Sequence, residues 1–458
     1  MSETHGTLDA MPQLLIDMPE ERARQVFAHP LIEDTYYQLP QLIVSLRQCR
    51  TYADYYHFQQ DLLGKVLAVQ EHRRACTRVV RRLRRGESMP ADAPDLRTGA
   101  DPSELASWEL EVDVCERVDR QLRSIADAMA WRVFNYDRQV IVTLSRNDPA
   151  GPMAGKEGLE TERRFLTETW QDEHAFVLLH DLTTCLRICD GTRFKAVGPG
   201  FEAYLHEIKR NPDRRRSAQS QRQRLAEEAI RDGGPLPGDP DGPDSRLVAL
   251  GIPYKTHLKM LRDAFGKAAA RGLLGMKVPG GRSLVAANVP KGYELWPEDE
   301  FIERTERTHE AACRRAGILN SDHLIAYRSD DKVARYATMP PWAIYPLPPA
   351  VCAGLITDMA VFIVTVSKEP LLDALREVGL TARWLLPPDL ENLEHGQAVM
   401  RIHNGIRATE LLSSELQRFA FELVDLPTWA SGVKELFSRQ GLEGRPWHYF
   451  AEEYKVWA

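Results

Sequence analysis

The sequence predicts a mixed α/β and α+β protein in three parts. These are a helical N-terminal region over residues 1–130, an α/β core over 131–232 and, past a linker at 233–245, a C-terminal α+β domain over 246–458. Three observations carry this division. Apolar residues recur at helical spacing from Thr51 to Arg85. Three short apolar runs between Ala175 and Lys209 each end on polar groups. The run Gly233-Gly-Pro-Leu-Pro-Gly-Asp-Pro-Asp-Gly-Pro-Asp244 consists of turn formers, with no apolar period and too many prolines for a helix.

In chain order, residues 1–10 read as a frayed tail, and helix is expected from Met11 to about Ala130. Tyr36-Tyr-Gln-Leu-Pro40 should break one helix, because proline lacks the amide that a helix interior uses. Leu63, Val66, Leu67, Val79, Val80 and Leu83 give the next helix its apolar face. Gly86 and the polar stretch from Pro90 to Pro102 end it, and Pro102-Ser103-Glu-Leu-Ala starts another that runs at least to Trp131. Arg73, Arg74, Arg78, Arg81, Arg82, Arg84 and Arg85 form a basic stripe. An ion-paired or solvated face explains such a stripe more often than a nucleic-acid contact.

From Trp131 to Asn147 two patterns compete. Val140-Ile-Val-Thr-Leu favours a strand by propensity while the run continues a helical period, so no element is assigned. Asn147-Asp-Pro-Ala-Gly-Pro is a loop, and a helix through Glu162, Phe165 and Trp170 follows. The three apolar runs read as strands. Ala175-Phe-Val-Leu-Leu leads into His180-Asp181, Cys185-Leu-Arg-Ile-Cys ends on Asp190, and Phe201-Glu-Ala-Tyr-Leu-His delivers Glu207-Ile208-Lys209. Residues two apart on a strand share a face, so Glu207 and Lys209 should project together, as should Cys185 and Cys189.

Beyond the linker come a helix near Tyr254 to Arg271, a hairpin around Pro279-Gly-Gly and an amphipathic helix from Pro297 to Ala316. Met359-Ala-Val-Phe-Ile-Val-Thr-Val reads as a buried strand, Pro370 to Val378 as a helix and Ala382-Arg-Trp-Leu-Leu as a strand, an order that predicts a right-handed crossover. A strand region near Ala398 to Ala408 and a helix from about Pro427 to Arg439 complete the domain. Met339-Pro-Pro-Trp and Tyr345-Pro-Leu-Pro-Pro read as surface loops.

With 458 residues the chain is too long for one core, and 43% hydrophobic with 27% charged residues is the balance of a soluble globular protein. There is no run of 18 or more apolar residues, and Met1-Ser-Glu-Thr-His is not a basic and apolar leader, so no membrane partner and a cytoplasmic location are expected. Seven scattered cysteines without C-x-x-C spacing argue against a disulfide framework or a zinc site. A net charge of −7 disfavours nucleic acid globally. Locally, Arg210, Arg214, Arg215, Arg216, Arg222 and Arg224 crowd the segment after Lys209 and can form a wall for a phosphate backbone, unless they pair with Glu227 and Glu228.

Asp190, sixteen intervening residues, then Glu207-Ile208-Lys209 is the chain's most informative order. Two carboxylates converging on one place repel unless a cation separates them, and hard oxygen donors favour Mg²⁺ or Mn²⁺. Such an ion polarises a phosphoryl oxygen while a lysine orients the attacking water. This pattern resembles the PD-(D/E)XK nuclease superfamily, the restriction-endonuclease-like fold, over about a fifth of the chain. The resemblance implies a mixed sheet flanked by helices. It implies Asp190 and Glu207 as metal ligands, Lys209 as the catalytic lysine, a supporting glutamate at Glu162 and a glutamine at Gln221 on the following helix. No proline precedes Asp190, Asp181 competes for the first acidic position, and Gln219 and Gln223 compete with Gln221.

Other chemistry has less support. Gly198-Pro-Gly200 and Pro279-Gly280-Gly281 are not followed by the Gly-Lys-Ser/Thr of a P-loop, and there is no Gly-x-Ser-x-Gly elbow. His180 reads as structural or as a second layer to the metal, and His395, His403 and His448 read as non-ligands. The expectation is therefore a Mg²⁺-dependent nuclease acting on DNA. The alternative is a non-catalytic nucleic-acid- or protein-binding assembly protein on the same scaffold, with a second copy or another protein as further partner.

Overall fold

A computed structural model describes residues 20–98, 101–145, 150–197, 200–208, 218–232, 255–318, 324–330, 339–385 and 397–438. The chain divides into two units. One runs Met18–Leu247 with Pro341–Ala343; the other comprises Val248–Pro340 and Ile344–Ala458, with Met1–Asp17. The helical region and the core, read from the sequence as separate domains, thus fall largely in one unit. The predicted linker at 233–245 lies outside the described residues.

The first unit begins with helices α1 (Glu20–Phe27), α2 (Pro30–Gln48), α3 (Tyr52–Leu83) and α4 (Leu105–Val133). Proline at the first turn and His29 as N-cap start α2. Thr51 and Asp54 start α3 with a reciprocal capping box. The helix α2 continues through Pro40 rather than breaking there: Leu39, Leu42, Ile43 and Leu46 are all buried, and their packing outweighs the one lost backbone bond. The ambiguous stretch after Trp131 becomes the end of α4 and a short helix α5 (Arg138–Leu144), capped by Asp137.

Helix α6 (Leu159–Glu173) then precedes three strands, β1 (Phe176–Leu179), β2 (Gly191–Val197) and β3 (Gly200–His206), and α7 (Ala218–Asp232) follows. The strands form an antiparallel sheet in the order β1-β2-β3. A mixed sheet is therefore not formed by the described residues. Residues 185–189 are not a strand either; they lie in the turn between β1 and β2, and Cys189 takes a left-handed φ of 66°. Helix α6 packs on β1. Gln59 of α3 completes the free edge of β1, donating to Val177 O (2.8 Å) and accepting from Leu179 N (3.0 Å).

The second unit holds α8 (Leu258–Arg271), the hairpin β4 (Leu273–Val278) and β5 (Arg282–Asn288), α9 (Val289–Leu295), α10 (Glu298–Ala316), β6 (Leu324–Arg328), α11 (Pro349–Thr357) and β7 (Ala360–Ser367). It ends with α12 (Lys368–Glu377), β8 (Thr381–Trp384), β9 (Ala398–His403), β10 (Ala408–Leu412), α13 (Ser413–Phe421) and α14 (Leu426–Ser438). Its strands form two antiparallel sheets, β4-β5-β7-β6 and β10-β9-β8. Since β7 and β8 belong to different sheets, the expected β-α-β crossover does not exist. Nor is Tyr345-Pro-Leu-Pro-Pro a surface loop: Tyr345 and Leu347 are fully buried, and Pro349 opens α11. Among the described residues no helix is long and apolar enough to cross a membrane.

Candidate functional site

The sheet brings the predicted acids to one end. Gly191 pairs with His206 as the last step of the β2–β3 register, and Asp190 and Glu207 lie just beyond the two strand ends, so Glu207 is not itself on a strand. Asp190 is tied there on both sides: its carbonyl accepts from His180 N (3.0 Å), its amide donates to His206 O (3.0 Å), and its Oδ2 accepts from Ile208 N at 2.6 Å. Glu162, in the first turn of α6, is buried at 1% exposure.

These groups feel one another. Burial raises the Asp190 carboxyl above its ordinary range, and Glu207 and Asp181 add to the rise against the Ile208 amide and Lys156. Burial likewise raises Glu162; Lys156 opposes this, while Asp181 and Asp190 reinforce it. In both groups desolvation is the main cause and repulsion between the carboxylates a smaller one.

The residue that sequence reasoning missed is Lys156. Its Nζ donates to Glu162 Oε1 at 2.7 Å and pairs with Asp181 Oδ2. The two carboxylates hold it charged, outweighing burial. A turn delivers it: Lys156 N bonds Met153 O, and Gly155 takes a φ of +78°, which a side chain would resist. Gln70 of α3 fixes that turn by accepting from Met153 N and Ala154 N. Nothing in the sequence marked Lys156, because its role depends on these long-range bonds.

The helical region also builds the 180–190 turn. Arg123 of α4, 1% exposed, donates to Asp181 O (3.0 Å) and Gly151 O (2.8 Å), while its Nε pairs with Asp119. Asp127, one turn on, accepts from the amides of Thr184 (2.6 Å) and Cys185 (3.0 Å). His180 is wholly buried between Ile188 O (2.6 Å) and Thr192 Oγ1 (2.8 Å), and burial lowers its pKa to about 4, so it is a neutral structural group.

The remaining candidates divide as follows. Lys209, Arg210, Arg214, Arg215 and Arg216 lie outside the described residues. On α7, Gln221 is exposed, whereas Gln223 donates to Leu205 O of β3 (2.9 Å) and to Glu227 (3.1 Å). Of Gln221 and Gln223, Gln223 is thus the one that touches the sheet. Arg222 is half-buried and Arg224 pairs with Glu228 at 3.6 Å. The α3 stripe is largely ion-paired: Arg73 with Glu116, Arg78 with Asp92, Arg82 with Glu87 and Arg84 with Glu109.

Among the described residues, the one group of three metal-ligating side chains whose donor atoms all lie within 4.8 Å of one another is elsewhere, at His72, Glu111 and Cys115. The carboxylates of Glu162, Asp181, Asp190 and Glu207 are more widely spaced, with Lys156 between the first two. No protein-family model, curated protein or solved structure matches the chain.

Proposed function

We propose that the chain is a metal-dependent nuclease hydrolysing phosphodiester bonds of DNA, with Asp190, Glu207 and Glu162 as the donors for Mg²⁺ or Mn²⁺. The observation that carries this reading is that Asp190 and Glu207, just past the Gly191–His206 pair that ends the sheet, lie close enough to interact, as do Asp190 and buried Glu162. Helix α6 before the strands and helix α7 after them stand where the resemblance expects its glutamate and glutamine helices, while the sheet between them is antiparallel and not mixed.

The donors suit a hard divalent cation, being all carboxylate oxygens. Glu162 Oε2 is buried without a hydrogen-bond partner among the described residues. Burial, with a smaller contribution from neighbouring carboxylates, raises the Glu162 and Asp190 carboxyls, a penalty that added positive charge offsets. A bound ion would polarise the scissile phosphoryl group and lower the pKa of an attacking water. Lys209, two residues past Glu207, orients that water; Arg210, Arg214, Arg215, Arg216 and Arg222 hold the phosphate backbone.

A second reading has its own observation. Lys156 already pairs with both Glu162 and Asp181, and Asp190 already caps the Ile208 amide. A scaffold arranged this way binds nucleic acid or protein without an ion.

Plasmid cleavage separates the two. The nuclease reading expects nicking or linearisation in Mg²⁺ and none without it, with loss of cleavage in Asp190→Asn, Glu207→Gln and Lys209→Ala at unchanged thermal stability. Cleavage intact in all three variants would end it. DNA binding that is indifferent to Mg²⁺, with no cleavage, establishes the second.

A further inference from the structure

A buried cluster joins α3 and α4 away from the carboxylate site. His72 and Cys76 lie four residues apart on α3, as do Glu111 and Cys115 on α4, so each pair shares one helical face. His72 Nε2 is 2.7 Å from Glu111 Oε1 and 3.6 Å from Cys76 Sγ, and Cys115 Sγ lies within 4.8 Å of His72 and Glu111. Cys76, Glu111 and Cys115 are fully buried and His72 sits at the rim.

We propose that His72, Cys76, Glu111 and Cys115 form a structural zinc site that staples α3 to α4. Imidazole, two thiolates and a carboxylate make a mixed tetrahedral donor set of the borderline-soft kind that selects zinc over magnesium. Donors about 2.0–2.3 Å from a common ion stand roughly 3–4 Å apart; His72, Glu111 and Cys115 already lie within 4.8 Å of one another, and Cys76, 3.6 Å from His72, becomes the fourth donor by turning its Sγ toward that group.

The surroundings are built for such a centre. His29 Nδ1 accepts from Leu31 N (3.2 Å), which fixes the tautomer and leaves Nε2–H to donate to the outer oxygen of Glu111 at 2.9 Å. Arg97 stands 3.9 Å from Glu111 and compensates the net negative charge of three anionic ligands around one divalent ion. Without the ion both thiols keep their protons, since burial and Glu111 raise each to about 12; binding releases those protons to solvent. Cysteine spacing alone did not reveal the site because its pairs are His-x₃-Cys and Glu-x₃-Cys on two helices, not C-x-x-C.

This inference is independent of the nuclease reading. The purified full-length chain is expected to carry about one zinc per molecule. Cobalt exchanged into it should show thiolate-to-metal charge transfer and the ligand-field bands of a tetrahedral ion. Cys76→Ser and Cys115→Ser should each weaken zinc affinity by at least roughly tenfold in a chelator competition, while Cys352→Ser does not. His72→Gln, at the rim, gives the same loss should a cysteine variant fail to fold. Wild-type protein that takes up neither zinc nor cobalt with a thiolate band overturns the proposal, as does full zinc retention in Cys115→Ser. The Asp190→Asn protein keeps its zinc.

Discussion

His180 holds the turn on which Asp181 and Asp190 ride, and it does so only as a neutral ring. Its Nδ1–H donates to Ile188 O and its Nε2 accepts the Thr192 hydroxyl proton. Burial pulls its pKa from 6.5 to about 4. The sign of the consequence is set by which state takes up the proton. Above 6.5 neither state carries it; as pH falls from 6.5 toward 4, the unfolded chain binds a proton that the native state refuses, and stability is lost over that window. The full loss is on the order of 3 kcal/mol, from a shift of about two and a half pH units. Urea melts near pH 7 and near pH 5 should therefore show stability falling with acidity in the wild type and falling distinctly less in His180→Asn. Equal losses in both proteins would place the titration elsewhere. The dipeptide His180-Asp181 was legible in the sequence, but its division of labour was not. Whether such a ring is ligand, base or strut depends on Ile188 and Thr192 being brought to its two nitrogens.

At the scale of elements, legibility followed the range of the deciding interaction. Helices α3, α4 and α10 were readable because their apolar periods are local, with a capping box at α3 alone of the three, and β1 and β3 because short apolar runs end on polar groups. Cys185-Leu-Arg-Ile-Cys has equally good strand propensity and is nonetheless a turn. Asp127 of α4 takes the amides of Thr184 and Cys185, and His180 takes the Ile188 carbonyl, so the backbone bonds a strand would need are already engaged. The same cause hid Lys156, whose turn is anchored by Gln70 more than eighty residues away in sequence. Asp127→Ala strips two backbone amides of their acceptor, and the variant should lose about 2 kcal/mol in denaturant unfolding. Because the turn it frees carries Asp181 and Asp190, any Mg²⁺-dependent cleavage should fall by more than the small unfolded fraction explains. A variant destabilised to that extent with undiminished specific activity would show that α4 does not set the acids' positions.

For the whole molecule, charge sets where the proposed nuclease would hold nucleic acid. The chain carries −7 overall, and the long arginine stripe on α3 is already matched by Glu116, Asp92, Glu87 and Glu109. Both the net charge and the exposed ion pairs weaken the pull of these surfaces on a phosphate backbone. That leaves the segment following β3, where Arg210, Arg214, Arg215, Arg216 and Arg222 cluster in a chain otherwise repelled by DNA. If these five each meet a phosphate, the logarithm of the binding constant should fall with the logarithm of salt concentration at a slope of about −4.5, from roughly 0.9 per contact. Fluorescence anisotropy with a short labelled duplex over a salt series measures the slope. Arg214→Ala, Arg215→Ala and Arg216→Ala together should flatten it by about 3, whereas Arg73→Ala with Arg84→Ala should leave it nearly unchanged, because those side chains are spent on Glu116 and Glu109. The reverse result, a slope insensitive to the first set and flattened by the second, would move the nucleic-acid face from the sheet end to α3 and separate it from the candidate acids.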